Sequence, residues 1–190
     1  RGFTDFNVEQ TLYSYTTALE YGADSLECDI QVTSDGELIL FHDEETSVLL
    51  NNITGKIKEN TFAQTQLATW REFSFGNVLE DKVHLTKFEE LLKYVEQAGC
   101  LLHAEIKDYR VESDIGLMVD AIVELGLQES VVLHSFALSE IQYVRGLNKD
   151  IKVAFLSNTL DGVDLNLKPV VECFDWIKRD KYAMVALRLS

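Results

Sequence analysis

No apolar run in this chain of 190 residues approaches the roughly 20 residues that a membrane-spanning helix needs, and no signal-peptide pattern opens it. Stable membrane insertion is therefore not expected. Positive charge is scarce: 17 Lys and Arg against 32 Asp and Glu give a net charge of -15. That balance argues against nucleic acid or an anionic membrane as a partner held by long-range attraction. An anionic substrate would have to be attracted locally, by a bound cation and a few fixed Arg and Lys groups. The three cysteines, Cys28, Cys100 and Cys173, are an odd number at irregular spacing with no CxxC pair. They read as free, mostly buried thiols in a reducing compartment, hence the cytoplasm, and not as a disulfide framework. Walker, GxGxxG, GxSxG and HExxH motifs are all missing. So are linker composition, low-complexity segments and short-period repeats. The start at Arg1-Gly2, without Met and almost directly in a motif, reads as that of a trimmed fragment, so that a targeting segment would lie outside it.

What is present suits a folded domain. The chain is 46% hydrophobic and 26% charged, enough for one core and one domain over residues 1–190. Helical and extended patterns alternate, which predicts an α/β architecture with a parallel sheet. A helix is expected from about Val8 to Tyr21, stopped by Gly22, then a strand from Ser25 to Gln31. The Ser34-Asp35-Gly36 turn leads to a second extended run, Leu38 to Phe41, as in a short hairpin. Residues 44–82 are polar and aperiodic and read as a small irregular excursion from the domain. Thr86 and Glu89 predict a capping box, with Phe88, Leu91, Leu92 and Val95 on the buried stripe and Gly99 as C-cap. Strands at Leu101–Glu105, Val131–Ser135, Ile151–Leu156 and Ala183–Leu189 then alternate with helices at Ser113–Leu125, Ser139–Arg145 and around Lys168–Arg179. The five or six β/α units so counted fall short of the eight in a TIM-type barrel of about 250 residues.

Four stretches carry residues suited to chemistry. In Leu26-Glu27-Cys28-Asp29-Ile30, strand alternation puts Glu27 and Asp29 on one face and Cys28 on the other. Two carboxylates buried unpaired would cost several kcal/mol, and a hard divalent cation such as Mg²⁺ or Ca²⁺ would compensate them. The alternative is an edge strand with both carboxylates in water. His42-Asp43 ends the second extended run, where a His is placed as a general acid/base or as a surface turn residue. Glu105 and Lys107 share a face at the end of the Leu101 strand, fit for a metal site and a phosphate contact, or for a plain ion pair. Arg1 is either a bidentate phosphate clamp or an unengaged terminal residue. His84, His103 and His134 are scattered, the last two within strands, where satisfied structural roles are expected. Glu9 suits the first turn of a helix, or faces the site.

In order, these pieces resemble the glycerophosphodiester phosphodiesterase family. Its His-Arg-Gly, Pro-Glu-Asn-Thr, Gly-Ala-Asp, Glu-x-Asp, Thr-x-Asp-Gly, His-Asp, Glu-x-Lys and Ser-Phe segments have counterparts. They are Arg1-Gly2, Val8-Glu9-Gln10-Thr11, Gly22-Ala23-Asp24, Glu27-Cys28-Asp29, Thr33-Ser34-Asp35-Gly36, His42-Asp43, Glu105-Ile106-Lys107 and Ser135-Phe136. The resemblance implies a TIM-type (β/α)8 barrel, incomplete in this chain. It further implies metal-dependent hydrolysis of glycerophosphodiesters, as small-molecule substrates, to glycerol 3-phosphate and an alcohol. Glu27, Asp29 and Glu105 would hold Mg²⁺ or Ca²⁺, His42 and Arg1 would be catalytic, and Arg1 and Lys107 would contact the phosphate. The family's first catalytic histidine would stand immediately before Arg1, outside this sequence, and its late Trp-Thr strand has no counterpart. Other readings are a lysophospholipid- or sphingomyelin-type phosphodiesterase of the same superfamily, and a non-catalytic, metal-stabilised binding module.

Overall fold

In the computed structural model, which describes residues 1–4, 7–70, 84–157 and 183–187, the first helix starts later than its periodicity predicts. Helix α1 (Leu12–Glu20) begins where Thr11 and Ser14 cap one another. The Ser14 N–H donates to Thr11 Oγ1 at 3.2 Å and the Thr11 N–H to Ser14 Oγ at 3.3 Å. Gln10, just ahead, has a left-handed backbone with φ 58°, so the helix cannot extend back to Val8. Glu9 therefore lies outside the helix. Gly2, at φ 83°, packs so closely on Ser14 that a Cβ there would lie 2.7 Å from the Ser14 carbonyl carbon. Only glycine fits.

Strand β1 (Ser25–Val32) pairs antiparallel with β2 (Leu38–Leu40), Ile30 facing Leu40. On its other side β1 runs parallel to β5 (Leu101–Asp108), in register from Ser25 opposite Leu101 to Ile30 opposite Ile106. Strands β6 (Val131–Ser135), β7 (Lys152–Ser157) and β8 (Ala183–Leu187) continue the sheet in parallel, in the order β2-β1-β5-β6-β7-β8. β1 is thus an inner strand, which removes the reading of Glu27 and Asp29 as edge residues. Among the described residues the sheet stays open, with β2 and β8 at its margins.

Helices α3 (Phe88–Ala98), α4 (Asp114–Glu124) and α5 (Leu138–Leu147) cover one face. There Leu26, Cys28 and Ile30, Leu102, Ala104 and Ile106, and Leu133 and Val153 join Phe88, Leu91, Leu92, Val95, Ile115, Met118 and Ile141 in one core. Burying each of the Leu, Ile, Val, Phe and Met side chains among them stabilises the fold by about 1.5–3 kcal/mol. The α3 cap differs from the Thr86–Glu89 pair. The Lys87 N–H donates to Glu90 Oε2 at 3.0 Å, while Thr86 Oγ1 accepts from the Leu12 N–H at 3.1 Å and so ties α3 to α1. Gly99 ends α3 in the left-handed region at φ 65°, as predicted. Gly146 does not end α5, which runs on to Leu147.

Residues 44–70 are better ordered than their aperiodic sequence suggests. Two single 3-10 turns, a five-residue helix α2 (Phe62–Gln66) and a ribbon of β3 (Leu50–Asn51) with β4 (Thr69–Trp70) surround a small second core. That core holds Ile39, Phe41, Leu50, Ile53, Ile57 and Leu85. Lys58 Nζ reaches back to Asp108 at the end of β5, 2.8 Å away. Cys28 is buried and Cys100 only partly so. Cys173, the helix expected near Lys168–Arg179 and residues 71–82 of the excursion lie outside the described residues.

Candidate active site

The face of β1 opposite the helices carries Glu27, Asp29 and Gln31, and the same face of β5 carries His103, Glu105 and Lys107. Parallel register sets Asp29 beside Glu105, and Glu105 beside His134 of β6. Glu27, Asp29 and Glu105 consequently converge, each offering a carboxylate oxygen within 4.8 Å of the others. Asp29 is the buried member, 1% exposed. Its carboxyl is pushed from 3.8 up to about 6, chiefly by burial and next by the Glu27 charge, with Lys107 and His42 pulling the other way.

Cations already surround the acids. Lys107 Nζ lies 3.1 Å from Glu105 Oε1 and 3.5 Å from Asp29 Oδ1. Arg1 Nε is 3.7 Å from Asp29 Oδ2 and Arg1 Nη1 is 3.4 Å from Glu9 Oε2. Glu9 therefore faces the site through Arg1. Even so, burial and then the Glu27 charge keep the Asp29 carboxyl raised beside these cations. Three carboxylates with no sulfur or imidazole among them suit a hard divalent cation.

His42 comes to the same place by way of β2. The Phe41 N–H donates to the Asp29 carbonyl at 3.1 Å, which brings the next residue alongside the carboxylates. His42 Nδ1 is 2.9 Å from Asp43 Oδ1, so a proton on Nδ1 is held by Asp43 and Nε2 is left to exchange one.

Sequence reasoning passed over three supporting residues. Gln10 Nε2 donates to Asp29 Oδ2 at 2.6 Å, while Gln10 Oε1 accepts from Tyr15 Oη at 2.6 Å and from the Asp29 N–H at 3.3 Å. Asp43 is visible as the neighbour of His42, though its role is not. Gln31 donates to backbone on both sides of His42. His103 and His134 satisfy one another, Nδ1 to Nε2 at 3.0 Å, the structural role expected of them. Burial, then the neighbouring His103, lowers His134 to about 4. Ser135 shapes the loop after β6: its hydroxyl donates to Glu140 and accepts from the Ala137 N–H at 2.8 Å. His84 is exposed and pairs with Glu90 at 3.5 Å.

Known proteins resemble this chain in sequence and in fold. The pattern of the Glycerophosphoryl diester phosphodiesterase family matches residues 1–175. A glycerophosphodiester phosphodiesterase of Bacillus altitudinis is 26% identical over 174 residues, 90% of this chain and 70% of that protein. Another, of Caldanaerobacter subterraneus subsp. tengcongensis, is 26% identical over 78% of this chain and 60% of its own length. The chain thus spans between 60% and 70% of these two relatives. An Oleispira antarctica phosphodiesterase, solved in complex with the product sn-glycerol-3-phosphate, superposes with TM-score 0.79 over 100% of this chain and 82% of its own, at 17% identity. A glycerophosphodiester phosphodiesterase from Agrobacterium tumefaciens gives TM-score 0.68 over 98% and 93%, at 15% identity. The fold is that of the TIM-type barrels, with the sheet open among the described residues.

Proposed function

Because the chain belongs to the glycerophosphoryl diester phosphodiesterase family, we propose that it catalyses the cation-dependent hydrolysis of a glycerophosphodiester to glycerol 3-phosphate and an alcohol. The observation that carries this reading is the meeting of Glu27, Asp29 and Glu105, from two neighbouring strands, beside Lys107 and His42. The names of the relatives and the product bound by the Oleispira antarctica enzyme support the substrate class.

Glu27, Asp29 and Glu105 would hold Mg²⁺ or Ca²⁺, which when bound offsets the charge on the phosphodiester oxygens. Lys107 and Arg1 draw the anionic phosphate toward the acidic centre, Lys107 as a point charge and Arg1 as a planar fork. Their ion pairs to Asp29, Glu105 and Glu9 hold both side chains in place before substrate arrives, which lowers the ordering cost of binding. His42, oriented by Asp43, moves a proton at Nε2: it takes one from the attacking oxygen or gives one to the leaving alkoxide. The opposite transfer needs a second group, which the family pattern puts immediately before Arg1.

The test is release of glycerol 3-phosphate from glycerophosphocholine by the full-length protein, with Mg²⁺, with Ca²⁺ and with chelator. Turnover that chelation abolishes and either ion restores is expected. No turnover under any of these conditions overturns the proposal, and turnover confined to lysophosphatidylcholine would move it to the lipid-directed branch of the superfamily.

A further inference from the structure

Gln31 follows Glu27 and Asp29 along β1 and is almost wholly buried, 1% exposed. Its Nε2 donates to two carbonyl oxygens, Phe41 O at 2.8 Å and Asp43 O at 2.9 Å. These residues stand immediately before and after His42. With both amide hydrogens committed, Gln31 Oε1 is, among the described residues, the one buried side-chain polar atom with no hydrogen-bond partner. The amide cannot be turned over, because that would set Oε1 against two carbonyl oxygens. A bulge accompanies it: β1 and β5 slip between Ile30 and Gln31, so that Gln31 faces Asp108 and not Lys107. Bulges of this kind re-aim a side chain next to a site.

A buried acceptor left unpaired costs about 1–3 kcal/mol. A methionine of similar length would avoid that cost and still fill the space. What only the amide supplies is its hold on the backbone of residues 41–43. The geometry points to Gln31 as a positioning residue for His42, its two N–H groups fixing the turn from which the imidazole projects while Asp43 fixes the ring's tautomer. This rests on His42 acting as the acid/base group in the reaction proposed above.

Gln31→Met and Gln31→Glu in the full-length protein test it. Gln31→Met should lower kcat by about tenfold to a hundredfold, the scale of a misplaced catalytic group, with KM and divalent-cation affinity little changed. Gln31→Glu, whose carboxylate repels both carbonyls, should lose more. By ¹⁵N NMR the His42 imidazole resonances should shift and broaden in Gln31→Met while those of His103 and His134 hold. A lower Tm with unchanged kcat and unmoved His42 resonances would reduce Gln31 to a structural residue and overturn the inference. If the unmodified protein hydrolyses no glycerophosphodiester, the proposed reaction fails by itself. The NMR comparison then still decides, since unmoved His42 resonances reject the positioning role and displaced ones uphold it.

Discussion

Gln10 and Asp29 share a buried hydrogen bond of 2.6 Å, from the amide Nε2 to the carboxylate Oδ2. Tyr15, itself buried, donates to the other end of the same amide at 2.6 Å, so a chain of Tyr15, Gln10 and Asp29 runs from α1 to the acidic centre. Gln10 keeps this place in a left-handed backbone, φ 58°, which a residue with a long side chain adopts only under constraint. Groups that orient a metal-binding carboxylate matter nearly as much as the carboxylate. Gln10→Ala should weaken Mg²⁺ affinity by about tenfold to a hundredfold and cost about 1–3 kcal/mol of stability by stranding both partners. Isothermal titration and urea unfolding check the two effects.

Asp29 gives the metal-free protein a signature in pH. Its carboxyl is raised from 3.8 to about 6 by burial and by Glu27, so the folded state keeps a proton that the unfolded chain has released. Stability from this group is full below about pH 4, declines between pH 4 and 6, and is flat above. The loss is on the order of 3 kcal/mol. Saturating Mg²⁺ binds only the ionised form and should reverse the decline. Urea unfolding across this range, with chelator and with Mg²⁺, tests it. A slope that persists in Asp29→Asn would assign the effect elsewhere.

Lys107 should separate two affinities. At 3.1 Å and 3.5 Å from Glu105 and Asp29, its ammonium competes with a divalent cation for the same oxygens while attracting phosphate. Lys107→Met should therefore tighten Mg²⁺ binding and raise KM for the diester, each by about tenfold. Both changing in one direction would contradict this assignment.

His42→Gln should lower kcat by about 10²- to 10⁴-fold with cation affinity intact, as His42 is not among the three converging carboxylates. Asp43→Asn, which weakens the hold on the Nδ1 proton and so on the tautomer and orientation of the imidazole, should cost less. Steady-state kinetics with a parallel metal titration distinguishes an acid/base role from a metal ligand's.

The strands and their polar faces were legible because period-two alternation is a strong signal. Glu27, Asp29, Glu105 and Lys107 could be placed on site-facing sides before any coordinates. Helix edges were less legible where hydrogen bonds between distant residues decide them. Thr86 is spent on Leu12 and not on its own helix, a contact 74 residues away in sequence that no local pattern contains. Gln10 and Gln31 were missed for the same reason: a glutamine in a sequence looks like solvated surface, and only burial reveals an amide with assigned partners. The excursion read as irregular because elements of two to five residues are too short to show a period.

Glu27, Asp29 and Glu105 alternate along their strands with Leu26, Cys28, Ala104 and Ile106, which are packed beneath the helices. Reactive groups and core side chains are thus neighbours on one backbone. Amide protons on these strands should exchange only when the whole molecule opens. The acidic centre is carried by the part of the fold that opens last.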